Sequence, residues 1–137
     1  VSTSYNSGKL QKPLTPRQRF FVNLSQELTT TKNRGSWKFD ATYNWIGSQR
    51  FPSTSQNSQA FQLAVNSPSF STLNAQITKV FSSQFEVYFG GENMTNYIQK
   101  NPILGAENPF GSNFDSTFVY GPIFGSMYYA GLRFRLN

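Results

Sequence analysis

Period-two alternation of apolar and polar residues is the feature that most constrains the fold of this chain. It recurs in five segments, while no segment of useful length has the 3.6-residue period of an amphipathic helix. Because successive side chains of a strand point to opposite faces, such alternation predicts β-strands with one apolar and one polar face. The five predicted strands lie near residues 17–28, 36–47, 71–81, 85–95 and 126–136.

The second predicted strand shows the alternation most clearly. Its apolar side holds Trp37, Phe39, Ala41, Tyr43 and Trp45, and the intervening residues are polar or charged. Rings at both ends of a strand are typical of outer-membrane barrels, which carry aromatic girdles where acyl chains meet headgroups. A run of about ten residues is also the length that a tilted strand needs to cross a bilayer. The pattern therefore favours a transmembrane β-barrel.

The composition agrees with strands that have one face in an apolar medium and the other in water. Aromatic residues form 17% of the chain and charged residues only 13%, whereas charged residues form about 25% of a typical soluble domain. The formal charge is +6, but the basic residues are scattered along the chain. We interpret them as solvated or lumen-facing groups and expect no nucleic-acid partner.

The connections between the predicted strands alternate in length. Residues 29–35 and 82–84 form short connections, and residues 48–70 and 96–125 form long ones. Bacterial barrels have short periplasmic turns and long extracellular loops. If the final strand runs inward, the short turns and the C-terminus are periplasmic and the long loops lie outside the cell. We therefore expect a multi-pass β-barrel of the outer membrane.

Five strands are too few to close a membrane barrel, because bacterial single-chain barrels have an even number and at least about eight. An open sheet edge in lipid leaves unpaired backbone groups, each of which costs several kcal/mol. We therefore expect the first and last predicted strands to pair with strands outside this sequence. Residues 1–137 are interpreted as an all-β antiparallel meander from the C-terminal part of a larger barrel. They form either a fragment of a longer polypeptide or one piece of a split barrel.

The residue types present do not favour catalysis. The chain has no cysteine and no histidine, which removes the commonest general base and the commonest ligands of transition metals. Glu86 and Glu92 lie six positions apart on one strand, roughly 20 Å at about 3.3 Å per residue, which is too far for a glycosidase pair. We expect no enzyme activity, no cofactor and no metal site.

Charged residues on the polar sides of the strands predict a ladder of lumen-facing groups. Glu86 lies near the periplasmic end, where Arg133 and Arg135 of the neighbouring strand point to the same side. Cross-strand pairs of this kind fix the register of a sheet. A further basic residue, Lys79, falls on the apolar side near one end of its strand. The predicted ladder consists of Lys38, Asp40, Glu86, Glu92, Arg133 and Arg135.

Several segments of the chain, from residues 16–21 and 49–52 onward, resemble one protein family. The segment Phe85-Glu-Val-Tyr-Phe-Gly-Gly-Glu-Asn-Met-Thr-Asn-Tyr97 resembles the penultimate strand of TonB-dependent outer-membrane receptors, in which a Gly-x-Glu-Asn-Leu-x-Asn pattern is common. Met94 stands where leucine is usual in that pattern. The stretches 99–103 and 107–115 are similar to the last extracellular loop of Bacteroidetes members of this family, and residues 129–136 resemble their closing strand.

The resemblance implies a function in energised uptake of a scarce nutrient, such as a siderophore, a metal complex, a glycan or a peptide. It implies a barrel of about 22 strands closed by an N-terminal plug. The implied partners are the rest of the barrel with its plug, outer-membrane lipid, the TonB-ExbB-ExbD complex acting through the N-terminal part, and a surface lipoprotein lid.

The second long connection is the best place for ligand contacts, since it combines aromatic rings with a few charges. The same rings are equally suited to packing this loop against neighbouring loops. Two other functions stay open: a passive porin-like or structural barrel, and a soluble β-sandwich that binds a polymer. The candidate ligand-binding residues are Tyr97, Lys100, Glu107, Phe110, Phe114 and Asp115.

Overall fold

A computed structural model describes residues 11–29 and 35–136, and in these ranges the chain folds as one antiparallel sheet. The strands follow one another in chain order from β1 to β5, so the sheet is a simple meander. The all-β fold and the five-stranded antiparallel meander are thus confirmed. The strands are β1 (Arg19–Thr29), β2 (Ser36–Ile46), β3 (Phe70–Val80), β4 (Phe85–Glu92) and β5 (Met127–Phe134), and a short 3-10 helix spans Gln59–Phe61.

The largest difference from the predicted strand bounds is at the end of β4. The alternation predicts a strand as far as residue 95, but β4 ends at Glu92. Asn93 and Asn96 adopt positive φ angles of 48° and 52°, in the left-handed region that ends a strand and that asparagine tolerates better than most residues. The chain therefore turns away from the sheet three residues earlier than the polarity pattern indicates.

The register divides the strand residues into two faces, because residues directly opposite each other in neighbouring strands point to the same side. One such row across the sheet is Leu24, Ala41, Ala75, Gly91 and Tyr128. We call the side that carries this row the apolar face and the opposite side the polar face. The larger apolar-face side chains are Phe20, Val22, Leu24, Leu28, Trp37, Phe39, Tyr43, Trp45, Leu73, Ile77, Phe85, Val87, Phe89, Tyr128, Leu132 and Phe134.

Two tyrosine rings fix the register of β4 against β5 on the polar face. The ring of Tyr129 covers Gly90, its direct partner, and the ring of Tyr88 covers Gly131. A β-carbon at either glycine would lie within 2.5 Å of the covering tyrosine. Glycine is therefore needed at both positions for the rings to lie flat on the neighbouring strand.

The two ends of the sheet differ in how the chain is connected. At the turn end, residues 81–84 link β3 to β4 with bends at 82–84, and the amides of Phe81 and Ser82 both donate to the carbonyl of Phe85. The predicted turn at 82–84 is therefore confirmed. Most of the predicted turn at 29–35 lies outside the described residues. At the loop end are the first long loop, residues 47–69, and the second long loop, residues 93–126.

The most deeply buried apolar side chains lie at the loop end rather than on the sheet. Phe51, Phe70 and Phe118 are each less than one-tenth exposed. They come from the first long loop, the start of β3 and the second long loop. The two loops are thus packed against each other and against the end of the sheet, and they form the hydrophobic core of the described part.

Substitution of Gly35 tests the chain path at the turn end. Gly35 has a φ angle of +76°, and an added β-carbon would lie 1.7 Å from the carbonyl oxygen of Val80. Strain of the left-handed backbone and the clash together predict that Gly35→Ala lowers the free energy of unfolding by about 3 kcal/mol. Urea unfolding of the full-length protein measures this change. Ser83→Ala, in the exposed turn between β3 and β4, is the control, and equal stability of the two variants would contradict the described path.

Candidate functional site

The apolar face of the sheet is open to its surroundings. Leu24 and Leu132 are each 67% exposed and Phe89 is 54% exposed. Within the described residues no second sheet or helix covers this face, because all five strands belong to one sheet and the single short helix lies in a loop. A contiguous apolar surface of this extent marks a site of contact with a partner or a membrane.

The polar face is joined by hydrogen bonds between side chains of neighbouring strands. Asn23 donates to the hydroxyl of Thr42 at 2.7 Å, and Ser25 donates to the carboxylate of Asp40 at 2.6 Å. Tyr129 on β5 also reaches over Gly90 of β4 and donates to the side-chain carbonyl of Gln76 on β3. The polar side chains therefore satisfy one another along the sheet and present a hydrophilic surface.

The structure places the strand residues of the predicted ladder on the polar face and joins two of them. Glu86 is the direct cross-strand partner of Arg133, and the two side chains form an ion pair. Lys38 lies between Glu27 and Thr78 in the register, and Glu92 lies at the loop end. Arg135 follows the end of β5, where its amide donates to the carbonyl of Gln84. A continuous ladder of ion pairs stays a prediction.

An aromatic cluster joins the two long loops above the polar face. Phe70 stacks on Tyr97 with 4.6 Å between ring centroids, and the hydroxyls of Tyr97 and Tyr120 are 3.1 Å apart. Phe51 packs edge-on against Phe118 at 5.8 Å and contacts Tyr120 at 5.5 Å. Because Phe70 points to the polar side of β3, the second long loop folds back over that face.

One buried amide holds the second long loop in this position. Gln99 is 4% exposed. Its side-chain carbonyl accepts hydrogen bonds from the amides of Tyr120 and Gly121, and its NH2 group donates to the carbonyl of Phe118. Gln49 adds a bond from the first long loop to the carbonyl of Tyr120. These contacts join three segments that lie far apart in the sequence.

A second amide fixes the point where the chain leaves β4. The NH2 group of Asn93 donates to the carbonyls of Tyr97 and Phe124, at 2.8 and 3.0 Å. Its own backbone amide donates to the side-chain carbonyl of Asn74 on β3. Asn93 thus ties the start and the end of the second long loop to the sheet. Its sequence signal is the tolerance of asparagine for the left-handed region, whereas Gln99 has no comparable signal.

The contacts of the second long loop shift the pKa of Tyr120. Burial raises the pKa of the Tyr120 hydroxyl well above its usual range, and the hydrogen bond and charge interaction with Tyr97 act in the same direction. The Tyr120 hydroxyl therefore stays protonated at neutral pH and can keep its hydrogen bond with Tyr97.

The six candidate ligand residues fall into different environments. Tyr97 is part of the aromatic cluster, and the Asp115 carboxylate accepts two bonds from Thr117 within its own turn. Lys100 is exposed at the surface. Phe110 is 99% exposed, so its ring is available for contacts outside the loop. The other two candidates, Glu107 and Phe114, lie together at the tip of the loop.

Two cavities lie where the second long loop meets its neighbours. One of about 420 Å³ is bounded by the polar-face residues Thr72, Asn74 and Glu92 and by loop residues 121–125. A smaller one of about 170 Å³ at the loop tip is lined by Glu107 and Phe114 and by residues of both loops. Each combines a carboxylate with amide and apolar groups, which suits recognition of a small polar ligand.

Comparison with known proteins gives no relative of this chain: no family model, curated protein or solved structure matches it. Residues 11–29 and 35–136 contain no helix that is both long and apolar enough to cross a membrane. The same ranges contain no cluster of three or more acidic, histidine or cysteine side chains arranged to hold a metal ion.

Removal of the Gln99 amide tests whether it holds the second long loop. Gln99→Leu leaves the amides of Tyr120 and Gly121 and the carbonyl of Phe118 without their partner, which costs about 1–3 kcal/mol for each buried group left unsatisfied. We expect limited proteolysis of the full-length protein to cut residues 93–126 at least about tenfold faster. Gln56→Leu, at an exposed position of the first long loop, should leave the rate unchanged. Equal rates in both variants would refute this role of Gln99.

Proposed function

We propose that this chain is the C-terminal section of an outer-membrane β-barrel of the TonB-dependent receptor type, which takes up a scarce nutrient. The observation that carries the proposal is a single sheet with one exposed apolar face and one hydrogen-bonded polar face. In a barrel wall the first of these faces lipid and the second faces the lumen. The opposite chemistry of the two faces has a direct explanation only if they meet different solvents.

The height of the apolar face supports a position in a bilayer. Aromatic rings lie at both limits, with Phe20 and Trp45 at the loop end and Phe81, Phe85 and Phe134 at the turn end. β3 has 11 residues, and the ten steps between its ends correspond to about 33 Å along the strand. A tilt of about 40° reduces this to about 25 Å, the height of the apolar band of bacterial barrels.

The directions of the edge strands support closure by further strands. In a five-stranded meander β1 and β5 run in the same direction. Copies of the sheet joined edge to edge would therefore meet in parallel, whereas transmembrane barrels are antiparallel throughout. Each edge instead needs a strand of the opposite direction. Because the total is even, an odd number of further strands must complete the barrel, which favours one longer polypeptide over a ring of identical copies.

The second long loop folds inward, and this favours the function of a receptor rather than that of an open pore. The aromatic cluster and Gln99 hold this loop over the polar face. In a closed barrel it would narrow the outer entrance and enclose the 420 Å³ cavity beside Glu92. Ligand capture there, followed by movement of an N-terminal plug driven through the TonB-ExbB-ExbD complex, is the mechanism proposed. The ligand belongs to the siderophore, metal-complex, glycan or peptide classes.

A passive porin-like or structural barrel is the second candidate, because it would have the same two faces. A soluble β-sandwich that binds a polymer is less well supported. It would need a second sheet to cover an apolar face on which Leu24 and Leu132 are two-thirds exposed.

Conductance of the full-length protein separates these functions. We expect the protein to require detergent for extraction and, once reconstituted in planar bilayers in potassium chloride, to show no steady current until urea displaces the plug. A steady current without urea would identify a passive pore and contradict the receptor proposal. Release from cells without detergent would identify a soluble protein and contradict both barrel functions.

A further inference from the structure

The apolar face carries one charged side chain among its described strand residues, and that residue is Lys79. It lies at the turn end, one residue before β3 ends. A charge within the apolar band of a lipid-facing surface is costly, so such residues are found at positions where a specific contact compensates for them. Lys79 is therefore the charged group that the apolar face presents at its turn end.

Two aromatic rings surround the Lys79 ammonium. Its nitrogen lies 4.8 Å from the centroid of the Trp37 ring and 5.9 Å from that of Phe81. Trp37 is the direct cross-strand partner of Lys79, and Phe81 is two residues further toward the turn end. The ammonium thus lies beside Trp37 and within 6 Å of the Phe81 ring, at the turn end of the apolar face. In such a position a lysine can keep its methylene groups in the apolar layer and place its ammonium at the membrane surface.

On this basis, and resting on the proposed function, we propose that Lys79 with Trp37 and Phe81 forms a binding site for the phosphate of a phospholipid headgroup. An ammonium has three N–H donors, so it can donate to a phosphate oxygen in addition to a contact within the protein. Indole rings prefer the level where headgroups meet acyl chains. The turn end is the periplasmic end in the proposed orientation, so the lipid belongs to the inner leaflet of the outer membrane.

Lys38 supplies a matched control for this site. It is adjacent to Trp37 on β2 and pairs with Thr78, the neighbour of Lys79. Lys38 therefore lies at the same height in the sheet but on the polar face, and both lysines are partly buried. Replacement of either residue by glutamine removes the same charge at the same depth, and only one of the two replacements alters the lipid-facing side.

The test measures phospholipid retained by the full-length protein. The protein is reconstituted in vesicles of phosphatidylethanolamine and phosphatidylglycerol, extracted in mild detergent and examined by native mass spectrometry. We expect Lys79→Gln to lower the retained phosphatidylglycerol about fivefold, equal to about 1 kcal/mol for one basic group near a membrane surface. Lys38→Gln should retain as much as the unmodified protein, and Lys79→Arg should retain most of it.

Equal retention by Lys79→Gln and the unmodified protein would overturn the inference, and so would an equal loss in Lys38→Gln. A second measurement on the unmodified protein covers the case in which Lys79→Gln does not assemble. In vesicles where diacylglycerol replaces phosphatidylglycerol, the protein should not retain diacylglycerol preferentially. Retention of as much diacylglycerol as phosphatidylglycerol would overturn the inference. Failure of the unmodified protein to enter vesicles would instead refute the proposed barrel, which keeps the two failures distinct.

Discussion

The cross-strand register is the constraint on which the other features of this structure depend. Side chains alternate with a period of two, so a slip of one residue in any strand would exchange its apolar and polar faces. The register sets Glu86 opposite Arg133 and Lys79 opposite Trp37. It also sets Gly90 opposite Tyr129, where the ring lies against a backbone without a side chain. Two separate surfaces exist only because these pairings hold along the whole sheet.

The sequence is sufficient to predict the strands and their faces, because both follow from a local pattern. Polarity alternates residue by residue in β2, and the predicted bounds there differ from the observed ones by a single position at Ile46. The end of β4 is less predictable, since the left-handed conformation of Asn93 depends on bonds to Tyr97, Phe124 and Asn74. Polarity alone carries no information about such bonds.

The contacts between the two long loops cannot be predicted from the sequence, for a different reason. Phe51 contacts Phe118, and Gln49 donates to the carbonyl of Tyr120. These contacts join residues that are about seventy positions apart, and no periodic pattern relates them. Sequence reasoning selects Tyr97 for ligand contact, whereas in the structure its ring stacks on Phe70. The composition of a long loop does not show whether its aromatic residues pack together or bind a ligand. Only their contacts in the structure distinguish the two roles.

The proposal that the two faces of the sheet meet different solvents is central to the proposed function. It is tested most directly by placing single cysteines along β4 and β5 of the full-length protein, attaching a nitroxide and measuring its collisions with oxygen and with a nickel chelate. Oxygen concentrates in lipid, whereas the chelate stays in water. We expect oxygen access at positions 87, 89, 130 and 132 and chelate access at positions 86, 88, 129 and 133, with a period of two. Chelate access at every position, or protection from both reagents at 87, 89, 130 and 132, would contradict the account.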